Sequence, residues 1–332
     1  MARRPRPILA IWLSLLAPHS AGAFELAVPV DCAVGTACFI QQYVDHDPGP
    51  GARDYRCGSA VYDGHDGTDI RVRSTAEAGT VPVVAAAPGV VKAVRDGVED
   101  HLMRTDADRQ AVGNRECGNG VVIDHAGGYQ TQYCHLFKGS VSVKPGDTVD
   151  TGAKLGTVGY SGAAQYPHVH LTVRKDGTVI DPFAPEASPD SCSASADPAS
   201  LWSEQARRNL AYHPTAVLDF GFTDAPLTLA DLETGRPATV PADSGSAAIV
   251  VYVRAINVPK DAKVTLSLDG PGGTMVDDAQ VVDRSKAQLF RFAGKKRPTD
   301  GWQAGDYTAR LEIVTGAGEP LVTEERTLAL PH

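Results

Sequence analysis

The chain has 332 residues, enough for two globular units that each bury their own core. With 42% hydrophobic and 21% charged residues, 33 Gly, 23 Pro and only 6% aromatics, the composition reads as turn-rich and mostly β, and argues against a helical bundle. The formal net charge of -9 excludes general attraction to phosphate backbones, so nucleic acid is not an expected partner.

The N-terminus reads as an export address. Arg3, Arg4 and Arg6 precede an apolar run from Ile8 to Ala17, and Ala21-Gly22-Ala23 offers small residues for signal-peptidase cleavage. Residues 1–23 are therefore expected to be a signal peptide cut after Ala23, giving a periplasmic or secreted protein. The run falls short of the ~20 residues a membrane span needs, and no cysteine at the cleavage site invites a lipid. An amphipathic helix retained in the fold is the competing reading. Cleavage removes three arginines and no acid, taking the formal charge to about -12.

All six cysteines remain after cleavage, an even count that in an exported chain argues for disulfides. Cys32 and Cys38 can close a small loop through Gly35. Cys117 and Cys134 flank a hairpin formed by Val121-Val122-Ile123, a turn at Ala126-Gly127-Gly128, and Tyr129 to Tyr133. Folding about that turn sets them nearly opposite one another. Cys57 with Cys192 follows by elimination. No C-x-x-C pair supports thiolates on a metal.

Short β-type runs continue along the first half: Val81 to Val84, Gly89 to Val94, Gly120 to Ile123 and His168 to Val173, the last closed by a turn at Lys175-Asp176-Gly177. The polar stretch between Asp96 and Cys117 has no clear period and is expected to be a surface loop or insert. Ser191 to Ser200 reads as a linker, followed by a short helix from Leu201 to Asn209. Beyond Thr215, runs at Ala216 to Phe222, Ala248 to Ile256, Val264 to Leu268, Leu289 to Phe292, Tyr307 to Val314 and Val322 to Leu330 suggest an Ig-like β-sandwich.

Two motifs carry chemistry. In Gly64-His65-Asp66-Gly67-Thr68-Asp69, His65 and Asp69 are suitable ligands for a borderline cation, and the two glycines are expected to supply backbone freedom. Alone, this H-x-x-x-D more often describes a turn of solvated polar residues. In Pro167-His168-Val169-His170-Leu171, strand alternation points both imidazoles to one face, where burial demands partners. His135, in Tyr133-Cys134-His135-Leu136, ends the hairpin strand. Alternation there sends Cys134 and His135 to opposite faces, which rules out a Cys–His nucleophile pair. No H-E-x-x-H, G-x-S-x-G or P-loop occurs, and Ser161 reads as a turn residue. His46, His101 and His125 lie in loops with no partner pattern.

Taken in order, these residues resemble a known family. Gly64-His65-x-Gly67-x-Asp69 and His168-x-His170 look like the two signature motifs of LytM/lysostaphin-type zinc peptidases. Between them, Gly118 to His125, Gly128-Tyr129-x-Thr131-x-Tyr133-x-His135-Leu136, Val143-Lys144-Pro145-Gly146-Asp147 and Gly156-x-Val158-Gly159-x-Ser161-Gly162 also match, so the resemblance runs from about Asp63 to Pro182. It implies an antiparallel β catalytic domain over residues 24–190, one Zn2+ held by His65, Asp69 and His170, and His135 and His168 as catalytic histidines. A linker with a short helix (191–214) and the smaller Ig-like domain (215–332) would follow. The implied activity is hydrolysis of peptide cross-links in peptidoglycan, with a zinc-bound water as nucleophile. Thr172 stands where many members have Glu, and Ala163-Ala164-Gln165-Tyr166 replaces the usual Ser-Thr-Gly stretch. Two alternatives stay open: a non-catalytic regulator of other wall hydrolases, which predicts missing ligands, and a zinc peptidase acting on another peptide.

Overall fold

The structure, a computed structural model, describes residues 23–187, 191–193 and 199–331. Residues 1–22 of the expected signal peptide, with its apolar run, lie outside the described residues, as do residues 194–198 of the expected linker. Among the described residues no helix is long and apolar enough to cross a membrane.

The first part of the chain forms strands β1 (Phe39–Gln42), β2 (Thr68–Arg71), β3 (Pro82–Val84) and β4 (Gly89–Arg95), then helix α1 (Asp106–Val112). The strands β5 (Asn119–Asp124), β6 (Tyr129–Leu136), β7 (Thr148–Val149), β8 (Lys154–Thr157), β9 (His168–Lys175) and β10 (Thr178–Ile180) follow. An antiparallel sheet runs β1-β2-β9-β6-β5-β4-β7, with β10 also on β9, while β3 and β8 pair separately. Alternation divides β9 cleanly. Val169, Leu171 and Val173 are fully buried beside Ile70 and Tyr133, each such aliphatic side chain contributing about 1.5–3 kcal/mol. His168, His170, Thr172 and Arg174 take the opposite face. That polar face is where the site forms.

The stretch after Asp96, expected as a loop without regular structure, contains α1. Its signal is local: Thr105 accepts a hydrogen bond from the Asp108 N–H, and the Asp108 carboxylate accepts one from the Thr105 N–H.

Helix α2 (Glu204–Asn209) lies within the expected short helix. Trp202, Ala206 and Leu210 are buried in the first core, and Leu26 N–H donates to the Leu201 carbonyl at 2.7 Å. Next come β11 (Ala216–Thr223), α3 (Leu229–Thr234), β12 (Ala248–Val258), β13 (Lys263–Gly270), β14 (Gly273–Val281), β15 (Lys286–Lys296), β16 (Gly305–Val314) and β17 (Pro320–Leu330). They form two antiparallel sheets, β11-β12-β15 and β14-β13-β16-β17. Ile249, Val251 and Val253 from one sheet and Leu266, Leu268, Leu311 and Ile313 from the other share one core. A small cluster of Phe39, Leu218 and Ile256 joins this unit to the first.

Disulfides link Cys32–Cys38, Cys57–Cys192 and Cys117–Cys134, the three pairings expected from the sequence.

Candidate metal centre

The site is assembled on β2, β9 and the segment ahead of β2. Gly64 adopts φ 75°, and its N–H donates to the Asp45 carboxylate at 2.9 Å, which orients the turn into His65. The His65 Nδ1 lies 2.6 Å from the Tyr43 carbonyl oxygen. Donation there leaves Nε2 as an acceptor facing inward. Gly67 does something other than expected: its φ is not positive, so backbone freedom is not its role. A Cβ at Gly67 would sit 2.5 Å from His170 Nε2 and 2.8 Å from the Leu171 carbonyl oxygen. Only glycine lets β2 begin so close to β9.

Asp69 and His170 are cross-strand partners and share a face. Asp69 Oδ1 lies 3.2 Å from His65 Nε2 and 2.9 Å from His170 Nδ1, and those two nitrogens are 3.1 Å apart. The ligand atoms of His65, Asp69 and His170 all fall within 4.8 Å of one another. Two imidazole nitrogens and a carboxylate oxygen, withdrawn from bulk water, form a donor set that suits a borderline divalent cation. His170 is fixed from behind, its Nε2 being 3.1 Å from Asp66 Oδ1 and 3.0 Å from Thr172 Oγ1.

The electrostatics favour a cation. Burial alone would raise the Asp69 pKa, but the imidazoles of His168, His65 and His170 hold it well below the usual carboxylate range. Burial alone would lower the His170 pKa, yet Asp66 and Asp69 outweigh it and lift the value to about 9. Negative charge is thus concentrated where the three ligand atoms converge.

His135 and His168 stand beside this cluster. Their ring centroids are 4.5 Å apart, and His135 is 6.0 Å from His170. His135 Nδ1 is 2.7 Å from the Ser161 carbonyl oxygen, and His168 Nδ1 is 2.8 Å from that of Tyr166. Each Nδ1–H is thereby occupied, leaving each Nε2 with a free lone pair. Burial is the main cause that lowers both pKa values, strongly at His135, where the neighbouring His168 and His170 add to it. Burial thus favours the neutral ring at both positions, the form a proton acceptor requires.

The five residues singled out from the sequence therefore converge. Four further contributors escaped that reading: Asp66 and Thr172 behind His170, Tyr62 with its ring 4.6 Å from His65, and Tyr166, whose hydroxyl donates to Asp69 Oδ2 at 2.8 Å. Asp66 lies inside the first motif, and Tyr166 in the stretch that departs from the family pattern. Those positions were the available signals. His46 and His125 do have partners. His46 Nε2 meets Asp181 Oδ2 at 2.9 Å, and His125 Nε2 meets Thr131 Oγ1 at 2.8 Å. Cys134 is bonded to Cys117 and is no nucleophile.

The profile of Peptidase family M23 matches residues 63–182. The cell division protein DipM of Caulobacter vibrioides is 37% identical over 86 residues, covering 25% of this chain and 14% of its own length. The peptidoglycan DD-endopeptidase ShyA of Vibrio cholerae is 38% identical over 64 residues, covering 19% of this chain and 14% of its own. The chain thus spans about one-seventh of the length of these two curated relatives, 14% of each. A zinc-containing peptidase from Vibrio cholerae, known as a crystal structure, aligns with 26% identity and a TM-score of 0.31, over 48% of this chain and 39% of that one.

Proposed function

With residues 63–182 forming a Peptidase family M23 domain, we propose that this chain is an exported zinc endopeptidase that hydrolyses peptide cross-links of peptidoglycan. The observation that carries this reading is the convergence of His65, Asp69 and His170 on one point, with the imidazoles of His135 and His168 beside it. A non-catalytic regulator predicts a missing ligand, and all five positions are filled.

His65, Asp69 and His170 would hold the ion, with a fourth position left open for water or substrate. When bound there, zinc supplies Lewis-acid polarisation of the scissile carbonyl and lowers the pKa of a water to about 7. The proton traffic falls to the chain itself. One of His135 and His168 accepts the water's proton at Nε2; passed on to Nε2 of the other ring, that same proton stabilises the developing oxyanion and is then released to the departing amine. The Ser161 and Tyr166 carbonyls fix the His135 and His168 rings so that these nitrogens are presented without reorganisation.

The unit after residue 215 is read as an Ig-like accessory domain, and the three disulfides suit an oxidising compartment. Digestion of purified peptidoglycan followed by mass spectrometry tests the activity. Cross-linked muropeptides should be replaced by products with a free amine at the cross-link, and Asp69→Ala should give none. Intact cross-links after digestion, with hydrolysis of other peptides, would assign a different substrate.

A further inference from the structure

Asp69 is held from two sides. Oδ1 faces His65 and His170, while Oδ2 accepts the Tyr166 hydroxyl at 2.8 Å. Behind the Tyr166 ring, 4.6 Å from its centroid, lies the guanidinium of Arg71, which is fully buried. A buried cation normally finds a carboxylate. The hydrogen bonds of Arg71 instead run to neutral acceptors: the Val72 carbonyl at 3.1 Å, the Arg73 carbonyl at 3.4 Å, the Gln41 side-chain oxygen, and Gln288 Oε1 at 3.3 Å. The tyrosine's π face completes its surroundings.

Gln288 belongs to β15, in the C-terminal sandwich. Its amide donates to Glu233 Oε1 at 2.8 Å, and Glu233 Oε2 accepts from Arg104 at 2.6 Å. One connected set of polar contacts therefore leads from Asp69 through Tyr166, Arg71, Gln288 and Glu233 to the insert. It joins five stretches of chain that are remote in sequence, around residues 69–71, 104, 166, 233 and 288.

We propose that Tyr166, backed by Arg71 and Gln288, is a positioning residue for Asp69, and that the C-terminal sandwich thereby supports the metal site. This rests on the reading of Asp69 as a metal ligand. With Oδ2 engaged by Tyr166, the carboxylate cannot swing, and Oδ1 stays aimed at the cluster. Gln288 holds Arg71, Arg71 holds the ring, and the ring sets the hydroxyl. Loss of such a supporting partner typically weakens metal binding 10–100-fold.

The test is a zinc titration of the full chain against a chromophoric chelator. Tyr166→Phe keeps the ring over Arg71 and deletes only the hydroxyl, so zinc affinity should fall about 10-fold or more. The metal-free variant should unfold at the unsubstituted protein's temperature. Gln288→Ala, remote from the ligands, should weaken zinc in the same direction by a smaller factor. The double variant should be no weaker than Tyr166→Phe, because both act through one hydroxyl. Unchanged affinity in Tyr166→Phe overturns the positioning role, and unchanged affinity in Gln288→Ala overturns the part given to the sandwich. Failure of the unsubstituted chain to bind zinc would remove the metal-site reading itself, and this proposal with it.

Discussion

His135 and His168 approach to 4.5 Å between ring centroids because the backbone at His135 is left-handed, with φ 61°. Along β6, Thr131 and Tyr133 point into the core, and Cys134 lies opposite His170. Regular alternation would send His135 inward with Tyr133. Instead the register with β5 slips between Val121↔Tyr133 and Asn119↔Leu136, Leu136 takes the core position, and His135 turns to the polar face. A β-bulge that re-aims one side chain is a recurrent device beside active sites. A non-glycine residue in this region costs of order 1–3 kcal/mol, which the His135 N–H bond to the Cys117 carbonyl (2.8 Å) and the adjacent disulfide help to offset.

The two histidines of one dipeptide repeat should separate binding from catalysis. His170→Ala and Asp69→Ala are expected to lose zinc and activity together. His168→Ala and His135→Ala should keep nearly stoichiometric zinc and lose on the order of 10²-fold or more in rate. Metal analysis of the four folded variants decides this. Zinc lost from His168→Ala but retained in His170→Ala would reverse the roles, and activity in all four would end the enzyme reading.

The Cys117–Cys134 bridge should matter for more than stability. Closing a loop with a sequence separation of 17, it is expected to contribute about 3 kcal/mol. It also pins the bulge that aims His135. The double Cys117→Ser, Cys134→Ser variant should therefore melt earlier and, well below its melting temperature, bind zinc normally yet turn over more slowly. Full specific activity in the folded variant would separate the bridge from the site.

The insert carrying α1 is expected to govern which cross-links enter. Met103 N–H donates to the Ala164 carbonyl at 2.8 Å, and Asp100 accepts from the Tyr160 N–H at 2.8 Å, so the insert borders the 160–166 segment that supports His135 and His168. Replacing residues 105–113 with a short Gly-Ser turn should leave zinc bound and change relative rates among muropeptides. Identical kinetics on every cross-link type would show that the insert has no such role.

Folding stability should fall with rising pH through His46. Burial alone would lower its pKa, but the Asp181 carboxylate raises it above the ordinary value. A raised folded pKa gives stability that is complete below the unfolded value of about 6.5 and is lost as pH climbs through the folded one. Burial also raises the Asp181 pKa, and that shift acts in the same sense at lower pH. Melting temperatures from about pH 6 to about pH 9 should decline more steeply for the unsubstituted chain than for His46→Gln. Parallel curves would remove His46 as the cause.

Much of the site was legible in one dimension. His168 and His170 share a face because side chains on a strand repeat every second residue, while His65 and Asp69 were singled out as a donor pair by the resemblance of their motif to a family signature rather than by spacing alone. The β character, the hairpin and the Cys32–Cys38 and Cys117–Cys134 pairings followed from alternation, turn residues and loop closure, and Cys57–Cys192 by elimination. Tertiary structure decided what those local rules cannot carry. The position of His135 depends on a register slip against β5, and the rule that excluded a Cys134–His135 pair would also have turned His135 into the core. Gly67 is required because β9 passes it at contact distance, not because its own torsions are unusual. The support of Asp69 by Tyr166, Arg71 and Gln288 joins side chains up to 219 positions apart, from Asp69 to Gln288. Periodicity reports how a segment meets its own neighbours, whereas these features arise where separate segments meet each other.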